Sequence, residues 1–376
     1  MENIEKIRKK LHQNPELSGN EQNTARYIIN LLEEWGIDEC SSGFAQYSIL
    51  ARIKGDENKK SILFRCELDA LPIEETNSFN HRSKTDGVSH KCGHDGHMSI
   101  ILGLIQTFMN EDWNGGDLFF LFQSAEETGE GAREIINSNF LADYKIDYAF
   151  ALHNVPGFKK HTVICKEDVF TPTVESFKIT IKGATIHAGE PDKGKNPALF
   201  IADFVQYMND LHQPSLDNND SYFVVAPIFI TMGEEAFGTS AGRGEAGYTI
   251  RSITPEVFEK RKEEIIAKAK QLGDEKELSI SFEWIEPFKA NENNKELVEI
   301  VKKATETVGV PYLDKEKPFD WGEDFGLFSQ HYRTAMFALG SGEDAPPLHD
   351  SNYDFPDDIA PTGVNVFYQI AKQIEK

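Results

Sequence analysis

Leu118-Phe119-Phe120-Leu121-Phe122 is an unbroken apolar run, and Gln123-Ser124-Ala125-Glu126-Glu127 follows it directly. A strand with one wet face alternates apolar and polar residues. A strand without alternation has both faces covered, as in a sheet lying between helices. Tyr148-Ala149-Phe150-Ala151-Leu152 has the same character and runs into His153, while the shorter Ile62-Leu63-Phe64 runs into Arg65-Cys66-Glu67-Leu68-Asp69. Helical patterns fall between these runs, at residues 96–109 and 131–137. Two more open the chain, carrying Ile4, Ile7 and Leu11, then Tyr27, Ile28, Leu31 and Leu32 before Gly36. Strands alternating with helices predict an α/β layered sheet with parallel strands.

Near residue 173 the pattern changes. Ser176-Phe177-Lys178-Ile179-Thr180-Ile181 alternates as a half-exposed strand, and residues 197–211 form an amphipathic helix. Strands over 222–232 and 247–253, a charged helix over 255–272 and a strand over 277–285 follow. That β-α-β-β-α-β order is the signature of a ferredoxin-like unit. The α/β pattern then resumes, with a helix over 296–308, a strand over 334–339 and a closing helix over 359–374. The expected domains are residues 1–173 and 289–376 for the α/β part, and residues 174–288 for the insertion.

The length of 376 residues suits two domains. No apolar run reaches the roughly 18 residues of a membrane span. Charges occupy the first residues, where a leader peptide would be apolar, which gives an expectation of a cytoplasmic protein. With 39 basic and 62 acidic residues the net charge is −23, a field that repels nucleic acid. A site for an anionic substrate therefore needs its own local cations. Cys40, Cys66, Cys92 and Cys165 are scattered and form no disulfide pattern.

Several polar clusters follow expected strands: Arg65 to Asp69, Gln123 to Glu127, His153, and the loop holding His349 beyond the strand at Thr334. His90-Lys91-Cys92-Gly93-His94-Asp95-Gly96-His97 precedes a helix. The carboxyl ends of strands form the ligand crevice of an open parallel sheet, so separate segments converge on one place. A thiolate, imidazoles and carboxylates together favour zinc or another first-row ion over calcium or magnesium. Cys92 and His94, two apart on a glycine-containing loop, can face one ion. Glu126 and Glu127 are adjacent and on extended backbone would point oppositely, so one can bind metal while the other acts as general base on a water. Two ions roughly 3.5–4 Å apart need a bridge that one thiolate or carboxylate can supply. Singly, each residue has a plainer reading as a structural histidine, a solvated acidic pair or an isolated thiol. Their convergence makes the case.

Two other motifs fail on context. Gly238-Thr239-Ser240-Ala241-Gly242 fits G-x-S-x-G, which requires a helix after the serine. Gly242-Arg243-Gly244-Glu245-Ala246-Gly247 fits G-x-G-x-x-G, which also opens a helix. Here a strand follows both.

Taken together these motifs resemble the amidohydrolase branch of metallopeptidase family twenty, which includes hippurate hydrolases, N-acyl-amino-acid and N-acetyldiaminopimelate deacetylases and indole-acetyl-amino-acid hydrolases. The resemblance runs from Leu11-His12-Gln13-Asn14-Pro15-Glu16-Leu17 through Asp69-Ala70-Leu71-Pro72-Ile73-Glu74 and His90 to His97. It continues with Phe122 to Glu127, Gly183-Ala184-Thr185-Ile186-His187-Ala188, Glu323-Asp324-Phe325 and Leu348-His349. It implies an open, mostly parallel-core α/β sheet of the zinc-exopeptidase kind with an inserted ferredoxin-like α+β lid or dimerisation domain. It implies two divalent ions per subunit, zinc or manganese, with nickel or cobalt also compatible. Cys92 looks like the bridge, Glu127 and His349 like the completion of one metal site, His94 and His153 like that of the other. Glu126 looks like the general base and then acid, and His187 like the histidine that assists the oxyanion, often at a partner subunit's site. Arg251 fits a strand-ending arginine that can bind a substrate carboxylate.

The chain departs from the pattern at Glu67, where many relatives carry Asp, at Gly183 to His187, and in the loop from Gly238 to Gly247. These changes bear on substrate identity rather than chemistry. The expected protein is thus a cytoplasmic homodimeric hydrolase of small N-acyl amino acids, with neither nucleic acid nor membrane as partner. A dipeptidase or aminopeptidase is the second reading, and a metal- or ligand-binding protein without turnover the third.

Overall fold

The computed structural model describes residues 4–215 and 221–375. Part of the charged N-terminal stretch and the outermost ends of the expected domains lie outside the described residues. The chain forms two compact units. One comprises Met1–Phe170, Asn291–Pro318 and Glu323–Lys376; the other comprises Thr171–Ala290 and Phe319–Gly322.

The first unit is built on an eight-stranded sheet. Its centre is four parallel strands in the order Leu118–Gln123, Ile62–Glu67, Tyr148–Pro156 and Arg333–Gly342. The register sets Phe64 beside Phe120 and beside Phe150, and the three rings line up with centroids 6.0 and 6.1 Å apart. All three are fully buried, each stabilising the sheet by about 1.5–3 kcal/mol. The same register sets Glu67 beside Gln123, so the polar segments following these two strands emerge together.

Around this parallel core, antiparallel pairings appear toward the edges, as a mostly parallel sheet allows. Ile49–Ile53 runs antiparallel to Leu118–Gln123, and Glu39–Ser42 antiparallel to Ile49–Ile53. Val163–Cys165 runs antiparallel to Arg333–Gly342. The links preceding Ile49 and Val163 are only a few residues long, whereas a parallel crossover needs about a dozen or more. Helix His94–Met109 is buried almost throughout and packs against helix Ala360–Glu375. A Cβ on Gly363 would lie 2.7 Å from Ile100, so the missing side chain lets the two helices approach.

The second unit is a four-stranded antiparallel sheet, ordered Val224–Met232, Arg243–Ser252, Thr173–Lys182, Ser279–Phe288. Helices Ala198–Leu211 and Pro255–Glu275 complete it. Numbered along the chain, the strands stand 2-3-1-4, the ferredoxin-like order. Phe177, Ile179 and Ile181 form one core with Phe200, Phe204, Phe258 and Ile265, as alternation along the strand requires. The serine of the G-x-S-x-G stretch lies in the short strand Thr239–Ser240, with strand Arg243–Ser252 after it, so neither decoy motif opens a helix. Among the described residues no helix is long and apolar enough to cross a membrane.

Candidate metal centre

The site grows from the carboxyl ends of the central strands. Gly93, between Cys92 and His94, has φ of 93°, and a Cβ there would lie 2.2 Å from Asn154 Oδ1. Only glycine fits this turn, which lets Cys92 and His94 face the same point. His153, within strand Tyr148–Pro156, donates from Nδ1 to its neighbour's carbonyl, Asn154 O, at 2.8 Å, and its Nε2 lies 3.4 Å from Cys92 Sγ. His94 donates from Nδ1 to Asp69 O at 2.9 Å, which leaves the Nε2 lone pair to face the site.

Glu126 and Glu127 are adjacent but are not separated by the expected alternation of an extended strand. They do not sit on extended backbone with opposed side chains. They occupy a turn opened by Ala125, whose φ is 52°. Both carboxylates reach the same imidazole: Glu126 Oε2 is 3.8 Å and Glu127 Oε1 3.9 Å from His94 Nε2. A left-handed residue at the strand end folds the chain back, so alternation no longer governs direction. The Glu127 amide donates to Asp69 Oδ2 at 2.9 Å, and the Asp324 amide lies 3.4 Å from Glu126 Oε1.

His349 completes the cluster from its loop. Its φ is 68°, its amide donates to Lys91 O at 2.8 Å, and its Nε2 lies 3.8 Å from Glu127 Oε1. Cys92, His94 and His153 bring ligand atoms within 4.8 Å of one another, as do Cys92, Glu127 and His349. Cys92 is common to both groups.

The group of His94, Glu126 and Glu127 overlaps these two, while two further clusters have occupants of their own. His97 donates from Nδ1 to Glu67 at 2.5 Å and accepts the Asn154 amide at Nε2, so both nitrogens are engaged. The group of Glu126, Glu323 and Asp324 already holds a cation. Arg65, fully buried, pairs with Glu323 at 3.0 Å and with Glu67 and Asp324.

The electrostatics describe a site short of positive charge. Burial, then Glu323, Glu127 and Asp324, push the Glu126 carboxyl well up. Burial raises Glu127 to about 7, with Asp69 adding to it against His94. Burial and the same two glutamates push the Cys92 thiol well up. Burial disfavours a charged His94, yet Asp69, Glu67 and Glu127 outweigh it and raise it to about 10. His153 is held well below its usual value by burial and His97. A bound divalent ion inverts this balance, because it favours thiolate, carboxylate and neutral imidazole alike. Moreover, His94 Nε2 and Glu127 Oε1 are buried without a hydrogen-bond partner among the described residues. Buried polar atoms are rarely left so. The donor set and its orphaned atoms fit a divalent metal.

His187 and Arg251 belong to the second unit. His187 is exposed, in the short strand Ile186–His187 paired with Thr239, and its Nδ1 accepts the Gly189 amide at 3.0 Å. Arg251 donates from Nη1 to Asp320 O. Residues to which the sequence attached no role also shape the site. Arg65 and Asp69 stand in the polar motif that ends strand Ile62–Glu67 and follows it, a signal that could have flagged them. Glu21 had none, since its partner, Ala125, is 104 residues away.

The family described as "Peptidase family M20/M25/M40" matches residues 63–373. The N-acetyldiaminopimelate deacetylase of Bacillus pumilus is 30% identical, with 97% of this chain and 96% of that protein covered. The hippurate hydrolase of Campylobacter jejuni is 26% identical, over 98% and 95%. Among solved structures, a dinuclear metal binding peptidase of the M20 family from Bacillus subtilis has the same fold, with a TM-score of 0.84 at 24% identity and 99% and 97% of the two chains covered. With its site and fold in place, the chain belongs to peptidase family M20/M25/M40, as a metal-dependent hydrolase of amide bonds.

Proposed function

We propose that the chain hydrolyses N-acyl amino acids, with Cys92, His94, Glu127, His153 and His349 holding two divalent ions and Glu126 moving the proton. The observation that carries this reading is that Cys92 is shared by two donor triads, whereas Glu126 groups with His94 and Glu127 and with Glu323 and Asp324 but never with Cys92. Cys92 is then the shared donor, with His94 and His153 on one side and Glu127 and His349 on the other. The ions, when bound, lower the pKa of water and polarise a scissile carbonyl.

Glu126 takes a proton from the attacking water, and the hydroxide adds to the amide carbon. As the C–N bond breaks, Glu126 returns the proton to nitrogen, and the products are a carboxylic acid and an amine. The Asp324 amide, facing Glu126 Oε1, orients the base for both transfers. His187 assists the oxyanion. With the Gly189 amide donating to Nδ1, a neutral ring carries its proton on Nε2, the form that can donate. Arg251 receives the substrate carboxylate, supplying a local cation for it in a chain of net charge −23.

Both named enzymes above act on N-acyl compounds, which supports this substrate class. Zinc or manganese is the expected metal, and nickel and cobalt suit the same donors. A homodimer forms through the inserted unit, whose edge strand Val224–Met232 exposes Ile228, Ile230 and Met232. The four free thiols are in keeping with the cytoplasm.

The test is to reconstitute the protein with each of the four metals and assay N-acetyl and N-benzoyl amino acids beside free dipeptides. Turnover of the acylated substrates, with dipeptides at least about tenfold poorer in kcat/KM, is the expected result. Preference for dipeptides would move the reading to a dipeptidase. Metal retention without turnover of either class would move it to a binding protein.

A further inference from the structure

Among the groups the mechanism leaves unused, Glu21 is aimed at the site's own backbone. It is fully buried at the start of helix Gln22–Trp35. Its Oε1 accepts the Ala125 amide at 2.8 Å and the Gly19 amide at 3.0 Å. Ala125 is not glycine, yet it holds φ of 52°, a conformation an L side chain resists unless its surroundings impose it. On the other side of Glu126, the Glu127 amide ends on Asp69 Oδ2. The amides flanking Glu126 are thus each anchored on a buried carboxylate from a distant segment.

We propose that Glu21 is a positioning residue that holds Ala125 left-handed and thereby turns Glu126 and Glu127 together into the site. Its own oxygens point to the same role. Oε2 has no hydrogen-bond partner among the described residues, so a single acceptor is all that the contact uses. Burial and the charge of Asp69 push Glu21 up to about 7, and the neutral and ionised forms both keep Oε1 as acceptor. The carbonyl of an amide side chain would therefore serve as well, and a carboxylate one methylene shorter would not.

The proposal rests on the assignment of Glu126 and Glu127 above, and the test separates the two. Wild type, Glu21→Gln, Glu21→Asp and the double variant Glu21→Asp with Ala125→Gly are compared in two ways. One is titration of the metal-free protein with Co2+, followed by visible absorption; the other is kcat and KM on an N-acetyl amino acid. Loss of the anchor is expected to weaken the more weakly held Co2+ about tenfold and to lower kcat about 10–100-fold in Glu21→Asp, with KM within about twofold. Glu21→Gln stays within about threefold of wild type in both measurements. Adding Ala125→Gly recovers part of the loss, because glycine adopts this φ freely. The proposal is overturned by a Glu21→Asp protein with wild-type Co2+ affinity, by Glu21→Gln as impaired as Glu21→Asp, or by no recovery with Ala125→Gly. Should wild type hydrolyse no acyl amino acid, the functional reading fails, while the Co2+ series still decides the role of Glu21.

Discussion

His94 gives its Nδ1 proton to the carbonyl oxygen of Asp69 at 2.9 Å, and so turns its buried Nε2 toward both Glu126 and Glu127. That tautomer suits a metal donor. Replacing His94 by Ala is expected to remove at least one of two bound ions while the chain stays folded, read by elemental analysis and circular dichroism. Chelation of the wild-type protein should abolish hydrolysis and lower Tm, with re-addition of metal raising Tm in a concentration-dependent way. A His94→Ala protein holding two ions would reject the assignment.

Glu126→Gln keeps the size and the acceptor for the Asp324 amide but cannot take a proton. We expect kcat to fall by about 10²–10⁴, with metal content unchanged and KM within about threefold. Retention of more than a tenth of kcat would remove Glu126 from the proton transfer.

Gly93→Ala puts a Cβ 2.2 Å from Asn154 Oδ1 at φ of 93°. Gly87 has φ of 72° but open space around it, so Gly87→Ala carries backbone strain alone. Gly87→Ala should cost about 1–2 kcal/mol and leave metal binding intact. Gly93→Ala should cost more and weaken metal binding, because Cys92 and His94 flank it. Equal effects of the two variants on metal affinity would contradict this account of the loop.

A buried network supports the same loop from behind. His12 lies 2.8 Å from Asp95 and 3.1 Å from Glu75, while Lys91 donates to Glu75 at 2.6 Å and Arg8 to Asp95 at 3.1 Å. Burial opposes the charge on His12, but Asp95 and Glu75 outweigh it and push it up to about 9. A folded value above the ordinary 6.5 means that stabilisation is complete below about pH 6.5 and is lost as pH rises through 9. Urea unfolding of wild type should lose on the order of 2 kcal/mol between those values, and His12→Asn should lose much less. Parallel pH curves for the two proteins would sink the argument.

In the second unit, Ile228 and Ile230 are 62% and 45% exposed on an edge strand. Changing both to Glu should leave the fold intact and shift the protein from dimer to monomer in sedimentation experiments. A wild-type protein that is already monomeric at micromolar concentration would dispose of the proposed dimer.

Much of this protein is legible in its sequence. Continuous apolar runs such as Leu118 to Phe122 announced strands covered on both faces, because burial on both faces is a local demand on residue type. Alternation at Ser176 to Ile181 announced a half-exposed strand for the same reason. Cys92, His94, Glu126, Glu127, His153 and His349 stood out because few residue types do metal and proton chemistry, and because strand ends collect them.

Tertiary structure alone decided the rest. That Val163–Cys165 runs antiparallel, that Ala125 bends Glu126 and Glu127 onto one imidazole, and that Glu21 anchors that bend depend on contacts between segments far apart in the chain. Sequence spacing carries local periodicity. It carries no direction for a side chain at a left-handed residue, and no record of which buried amide a distant carboxylate will meet.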